Sequence, residues 1–186
     1  FTYHPLPINK AKSELELTEC IKSLKKLNKL QDLSIIITSS NNDHFGQKIQ
    51  KELKKFSKKN NVKFVSSLGS SNYHGILGLP KKFNVILLGN SSSGIKEALF
   101  FKRIAINIGD RQNGRLKTAN IIDVAAKEKN IINSVNYCLN NEFLSKIMNE
   151  AYKNNPYKVN SNEKKIIKFL SNLDITNILL KKHYFN

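Results

Sequence analysis

The chain has 186 residues and a formal net charge of +17 at pH 7, which is length enough for one domain with a real core. No apolar run approaches the ~20 residues of a membrane helix, so no membrane partner is expected. Only three of the 31 basic residues are arginines (Arg103, Arg111 and Arg115), and base-reading surfaces favour the arginine fork, so the charge reads as a solvated lysine bias with no nucleic-acid partner.

In chain order, "FTYHP" opens at Phe1 without a starting Met, and the only Met is Met148, which reads as a piece of a longer chain. "SELELTECIKSLKKLN" (13–28) predicts a helix and "LSIIITSS" (33–40) a buried strand. "DHFGQKIQKELKKFSKK" (43–59) puts Phe45, Ile49, Leu53 and Phe56 on one helical face. "VKFVSS" (62–67), "FNVILLG" (83–89) and "IAINIG" (104–109) read as further strands, and "NIIDV" (120–124) as a candidate fifth. "SGIKEALFFK" (93–102) predicts a short helix, and from Lys127 onward the pattern is helical with a break at 154–162. Strands separated by helices predict an α/β fold, a Rossmann-like parallel sheet with helices on both faces, in a single domain over 1–186. Cys20 and Cys138 stand alone, so neither a disulfide framework nor a metal knuckle is expected, and a reducing, cytoplasmic compartment is.

Parallel sheets of this kind bind ligands beyond the carboxyl ends of their strands. The loops there are "HPLPIN" (4–9), "TSSNND" (38–43), "SSLGSSNY" (66–73), "GNSSSG" (89–94) and "GDRQNGR" (109–115). They hold nearly all the unusual polar residues of the chain. In "GNSSSG" a small-residue turn at a helix start lets an anion approach unpaired N–H groups, and the serines add hydroxyl donors. Glu97, one turn on, suits the two hydroxyls of a ribose as an acceptor, and Arg111 can supply a fork for phosphate oxygens. The plain alternative is an N-cap serine, a surface glutamate and an arginine in a salt bridge. Spacing alone leaves the two evenly balanced.

"GNSSSGIKEALFFKRIAINIGDRQNGR" resembles the hydrolysing UDP-N-acetylglucosamine 2-epimerases, the sialic-acid-pathway branch in particular. "TYHPLP", "TSSNND", "SSLGSSNY" and "NPYK" fit that family in the same order, from residue 1 to about 170. The resemblance implies the C-terminal half of a GT-B-like two-domain fold, with UDP-sugar in the interdomain cleft and the catalytic carboxylates in an N-terminal Rossmann-like domain outside this sequence. It implies that Ser91 and Ser92 hold the diphosphate, with Ser93 and Gly94 also among the substrate-binding residues, that Glu97 takes the ribose hydroxyls and that Arg111 lies near the nucleotide. Leu68 and Tyr73 fall where the family builds its uracil pocket, and Asn41 and Asp43 match a polar pair near the sugar. His4 matches a catalytic histidine at the domain junction; without the family it would read as a strand-end histidine. His44, His74 and His183 have no counterpart and read as surface or packing residues.

Two departures stand out. "NYHGILGLPKKFNVILLGN" is several residues longer than the usual link, and its glycines and Pro80 weaken the helix expected there. Ile104 replaces a proline often found before that strand. The implied partners are UDP, UDP-N-acetylglucosamine and the N-terminal domain, with a homo-oligomer possible; no cofactor or metal is implied. The implied reaction eliminates UDP with loss of the C2 proton, then adds water to give N-acetylmannosamine. Residues 173–186, including "DITNILLKKHYF", are expected to cross back toward the first domain. A GT-B glycosyltransferase is the close alternative, and a basic polyanion-binding module the remote one.

Overall fold

A computed structural model describes residues 1–6, 8–30, 32–40, 44–140, 144–158 and 162–173. Asn41, Asp43 and the 174–186 segment with His183 lie outside the described residues, as does the side chain of His44. The chain divides into two compact units, Phe1–Asn155 and Pro156–Asn186.

In the first unit, helix α1 (Lys10–Leu27) starts at Asn9, whose side-chain oxygen accepts from the Lys12 N–H at 2.9 Å. Strand β1 (Ile36–Thr38), α2 (His44–Asn60), β2 (Lys63–Val65) and α3 (Gly69–Leu77) follow. Then come β3 (Ile86–Gly89), α4 (Ser92–Lys96), a 3₁₀ turn (Ala98–Phe101), β4 (Ile104–Ile108) and β5 (Ile121–Val124). Helices α5 (Glu128–Asn140) and α6 (Leu144–Lys153) close the unit.

All strand pairs are parallel: β1 with β2, β3 with β4, and β4 with β5. The opening residues join these two groups. On one side Phe1 N–H donates to Ile36 O at 2.6 Å, and Thr38 N–H donates to Phe1 O at 2.9 Å. On the other, Thr2 N–H donates to Leu88 O, and Asn90 N–H to Thr2 O, both at 3.0 Å. The opening segment is thus a short central strand, and the order across the sheet is β2–β1–Phe1-to-Tyr3–β3–β4–β5. Numbered by sequence, that is the doubly wound order 3-2-1-4-5-6, which reverses direction between the opening segment and β3. Gly89 sits at this junction with φ +132°, and a Cβ there would lie 1.8 Å from Thr2 O. Only glycine permits the two backbones to pass so closely.

Alternation along β4 shows the layers. Ile106 and Ile108 face the side packed by α1 and α5, with Leu27, Val135 and Cys138 around Ile106. Ala105 faces the other side, where a Cβ on Gly94 of α4 would come within 3.2 Å of it. Of the helical face expected on α2, Ile49, Leu53 and Phe56 are buried and Phe45 packs against them. Both cysteines are buried free thiols, and burial pushes Cys138 up to about 11 and Cys20 further, so neither is poised as a nucleophile.

Three local expectations need correction. The helix read over 93–102 is two pieces, α4 and the 3₁₀ turn, and the second ends where Lys102 turns left-handed at φ 52°. The stretch 66–73, read as a loop, instead contains the start of α3, which runs through Gly75 to a C-cap at Gly78. His74, read as a surface or packing residue, is exposed and packs its ring beside Phe101 and Tyr73. The strand runs are also shorter than the apolar stretches that announce them, since only their central residues pair.

The second unit contains α7 (Asn162–Ser171), which exposes Ile166, Ile167, Phe169 and Leu170. Among the described residues no helix is long and apolar enough to cross a membrane.

Candidate functional site

Three of the polar loops converge on one residue, Asn90, which directly follows β3 and is fully buried. Its amide reads the backbone of His4 as a paired strand would: His4 N–H donates to Asn90 Oδ1 at 2.7 Å, and Asn90 Nδ2 donates to His4 O at 2.8 Å. Its carbonyl accepts from Arg111 Nη1 at 3.0 Å and from Gln112 Nε2 at 2.7 Å. The loops carrying His4, the serines and Arg111 are thereby fixed together at the point where the strand order reverses. Asn90 and the buried Gln112 were not singled out in the sequence. The signal for Asn90 was its place just after a buried strand, where one side chain offering both donor and acceptor can substitute for a backbone.

Beside Asn90, Ser91 has extended backbone angles, φ −74° and ψ 142°, and caps α4. Its hydroxyl lies 3.0 Å from that of Ser93 and accepts from Ser93 N–H at 3.4 Å. Ser91, Ser92 and Ser93 are half-buried and Gly94 is buried against β4. The serine turn is therefore both a cap and a cluster of donors. Because α4 has only five residues, the field at its start comes from the local N–H groups rather than from a long summed dipole.

Asp110 ties the arginine loop to α1 through a 2.5 Å ion pair with Lys12, whose hydrogen bond holds the carboxyl below its ordinary range. Gly109, at φ +72°, lets that loop cross over Glu16, which also receives the Tyr3 hydroxyl at 2.8 Å. Arg111 is half-buried, whereas Arg115 is exposed.

On the other flank, α3 brings Tyr73 and His74 to the serine turn. Burial raises the Tyr73 phenol, with the Ser93 hydroxyl acting in the opposite direction and the Glu97 carboxylate adding to the rise. His74 Nε2 lies 2.9 Å from Glu97 Oε2. Leu68, Tyr73, Ser91, Ser93 and Gly94 line one end of a cavity of about 570 Å³. The same cavity is also lined by residues 34–36 and 84–88 of the strands and the segments leading into them. The long segment after α3 is held by Arg103, a buried guanidinium that donates to Leu77 O at 2.7 Å, to Phe83 O at 3.1 Å and to Leu79 O.

The loops thus offer hydroxyl and amide donors, one arginine and one carboxylate; Ser91 and Ser93 share the cavity with Leu68 and Tyr73, whereas His4, Glu97 and Arg111 are not among its lining residues. Among the described residues no group of three or more His, Cys, Asp or Glu is placed to hold a metal ion.

A parallel sheet in this order, with polar loops gathered at its switch point, is the Rossmann-like half of a GT-B-like architecture. The chain belongs to the UDP-N-acetylglucosamine 2-epimerase family, which it matches over residues 1–171. It is 44% identical over 124 residues to the GDP/UDP-N,N'-diacetylbacillosamine 2-epimerase (hydrolyzing) of Campylobacter jejuni, covering 66% of this chain and 30% of that protein. It is 31% identical over 155 residues to the polysialic acid biosynthesis protein P7 of Escherichia coli, covering 83% and 37%. Its fold resembles the S. aureus MnaA–UDP co-structure, with a TM-score of 0.65 at 17% identity, covering all of this chain and 47% of that one. The Methanocaldococcus jannaschii UDP-GlcNAc 2-epimerase in complex with UDP-GlcNAc and UDP gives the same TM-score at 18% identity, covering 92% and 44%. The chain therefore spans less than half the length of these relatives.

Proposed function

We propose that this chain is the UDP-binding half of a hydrolysing 2-epimerase that acts on a UDP-linked 2-acetamido sugar. The observation that carries this reading is the convergence of the serine turn and Arg111 on Asn90 at the strand-order reversal. An anion seated there meets the hydroxyls of Ser91 and Ser93, the first N–H groups of α4 and a guanidinium held in place by its own bond to Asn90 O. Glu97, a helical turn away, would accept the ribose hydroxyls, and Leu68 and Tyr73 would border the uracil. Asn41 and Asp43 are assigned to the sugar side by the family resemblance.

The C2 proton of such a sugar is not acidic, so a positioned base and stabilisation of the departing UDP must share the barrier. This half supplies the second. A charge-assisted hydrogen bond from Arg111 to the diphosphate contributes roughly 1.5–3 kcal/mol. His4, with its backbone clamped by Asn90, is the catalytic candidate within this chain, acting near the anomeric oxygen. The base belongs to the other half of the protein, and water addition then releases the 2-epimer. UDP-N-acetylglucosamine, giving N-acetylmannosamine, is the substrate the motifs favour. UDP-N,N'-diacetylbacillosamine is the second reading, favoured by what the Campylobacter relative is named for.

Calorimetric titration of UDP separates a built site from diffuse charge. Arg111→Ala should weaken UDP by roughly 1.5–3 kcal/mol. Lys55→Ala, on the exposed face of α2, should have no effect, because its charge is screened over ~8 Å at physiological salt. Equal losses in the two variants would mean that the serine turn is only a helix cap.

A further inference from the structure

We infer that His74 is a positioning residue that presets the Glu97 carboxylate for a ribose diol, an inference that rests on the reading of Glu97 as the ribose acceptor. The two side chains come from different elements, α3 and the junction of α4 with the 3₁₀ turn, 23 residues apart. The Glu97 backbone is fixed, with its N–H donating to Ser93 O at 2.8 Å. Its side chain is 40% exposed and makes no capping hydrogen bond, so helix geometry alone does not orient it. His74 Nε2 at 2.9 Å from Oε2 does, leaving Oε1 for a ligand hydroxyl.

The imidazole is itself held. Its ring centroid lies 5.2 Å from that of Phe101 and 5.9 Å from that of Tyr73, both tilted. The C-terminal end of α3 is anchored through Leu77 O by Arg103. A polar contact this exposed contributes little to stability. Its effect is to remove, before binding, the rotamer freedom that a long acidic side chain would otherwise lose on meeting a ligand. Sequence reading passed over His74 because nothing in the string shows that residues 74 and 97 meet.

The test compares UDP, 2′-deoxy-UDP and inorganic pyrophosphate by calorimetry. Against wild type, His74→Ala should weaken UDP roughly threefold to tenfold, the factor for freezing one rotamer-rich side chain. It should narrow the preference for UDP over 2′-deoxy-UDP and leave pyrophosphate unchanged. His74→Gln, which keeps a donor at the Nε2 position, should restore most of the loss and covers the case in which the alanine variant is poorly folded. If Glu97→Gln weakens UDP while both His74 variants bind as wild type, the inference fails and the ribose reading stands. If Glu97→Gln leaves UDP unchanged, the ribose reading fails and takes the inference with it. An equal loss of UDP and pyrophosphate in His74→Ala would also overturn the inference, because it would show damage to the serine turn rather than to Glu97.

Discussion

Asn90 makes five hydrogen bonds from a fully buried position, two through its side-chain amide to His4, two through its carbonyl to Arg111 and Gln112, and one from its backbone N–H to Thr2 O. Truncation to alanine removes the first pair and takes the Asn90 amide away from the part-buried N–H and C=O of His4. Asn90→Ala should therefore cost about 2–3 kcal/mol in urea unfolding, with Asn90→Asp intermediate because only the acceptor survives. A loss below about 0.5 kcal/mol, the range of an ordinary surface substitution, would show that water replaces the amide. At this scale the sequence was half legible. The serines, Glu97 and Arg111 stand out because they are small, acidic or fork-shaped residues in loops whose neighbours are lysines. Asn90, Gln112 and His74 do not stand out, since their roles depend on contacts across 86, 22 and 23 residues.

Among the elements, α3 is the informative case. Two glycines and a proline argue against a helix over 73–83, and there is none beyond Gly78; the helix lies upstream, over Gly69–Leu77. What local propensity does not supply, Arg103 does, by gathering the carbonyls of Leu77, Leu79 and Phe83 around one guanidinium. Burial lowers the Arg103 guanidinium from its ordinary value, and these carbonyls offset that penalty. Arg103→Met keeps the apolar stem and removes the donors, so thermal unfolding should show a loss of roughly 2–3 kcal/mol. A melting curve superimposable on wild type would mean that the segment is held by its side chains instead. The strands were more legible than α3 because a strand buried on both faces reads as a continuous apolar run. Their ends were not, because pairing stops before the apolar stretch does.

For the molecule as a whole, the seam of the sheet is its first three residues. Phe1 pairs with β1 through Ile36 and Thr38, and Thr2 pairs with β3 through Leu88 and Asn90, so the two groups of strands are joined through this segment.

The same seam also sets an order of events in folding. β1 and β2 form one local parallel pair and β3, β4 and β5 another group, each through a short crossover. Joining them requires the opening segment to find Ile36 and Asn90, closing loops of 35 and 86 residues, and such distant closures are entropically the slow ones. The contacts that close the longer loop are those of Asn90 with Thr2 and His4. His4 therefore joins the site only when the seam closes, whereas the serine turn, Glu97 and Arg111 make their contacts within the β3–β4–β5 group and α3.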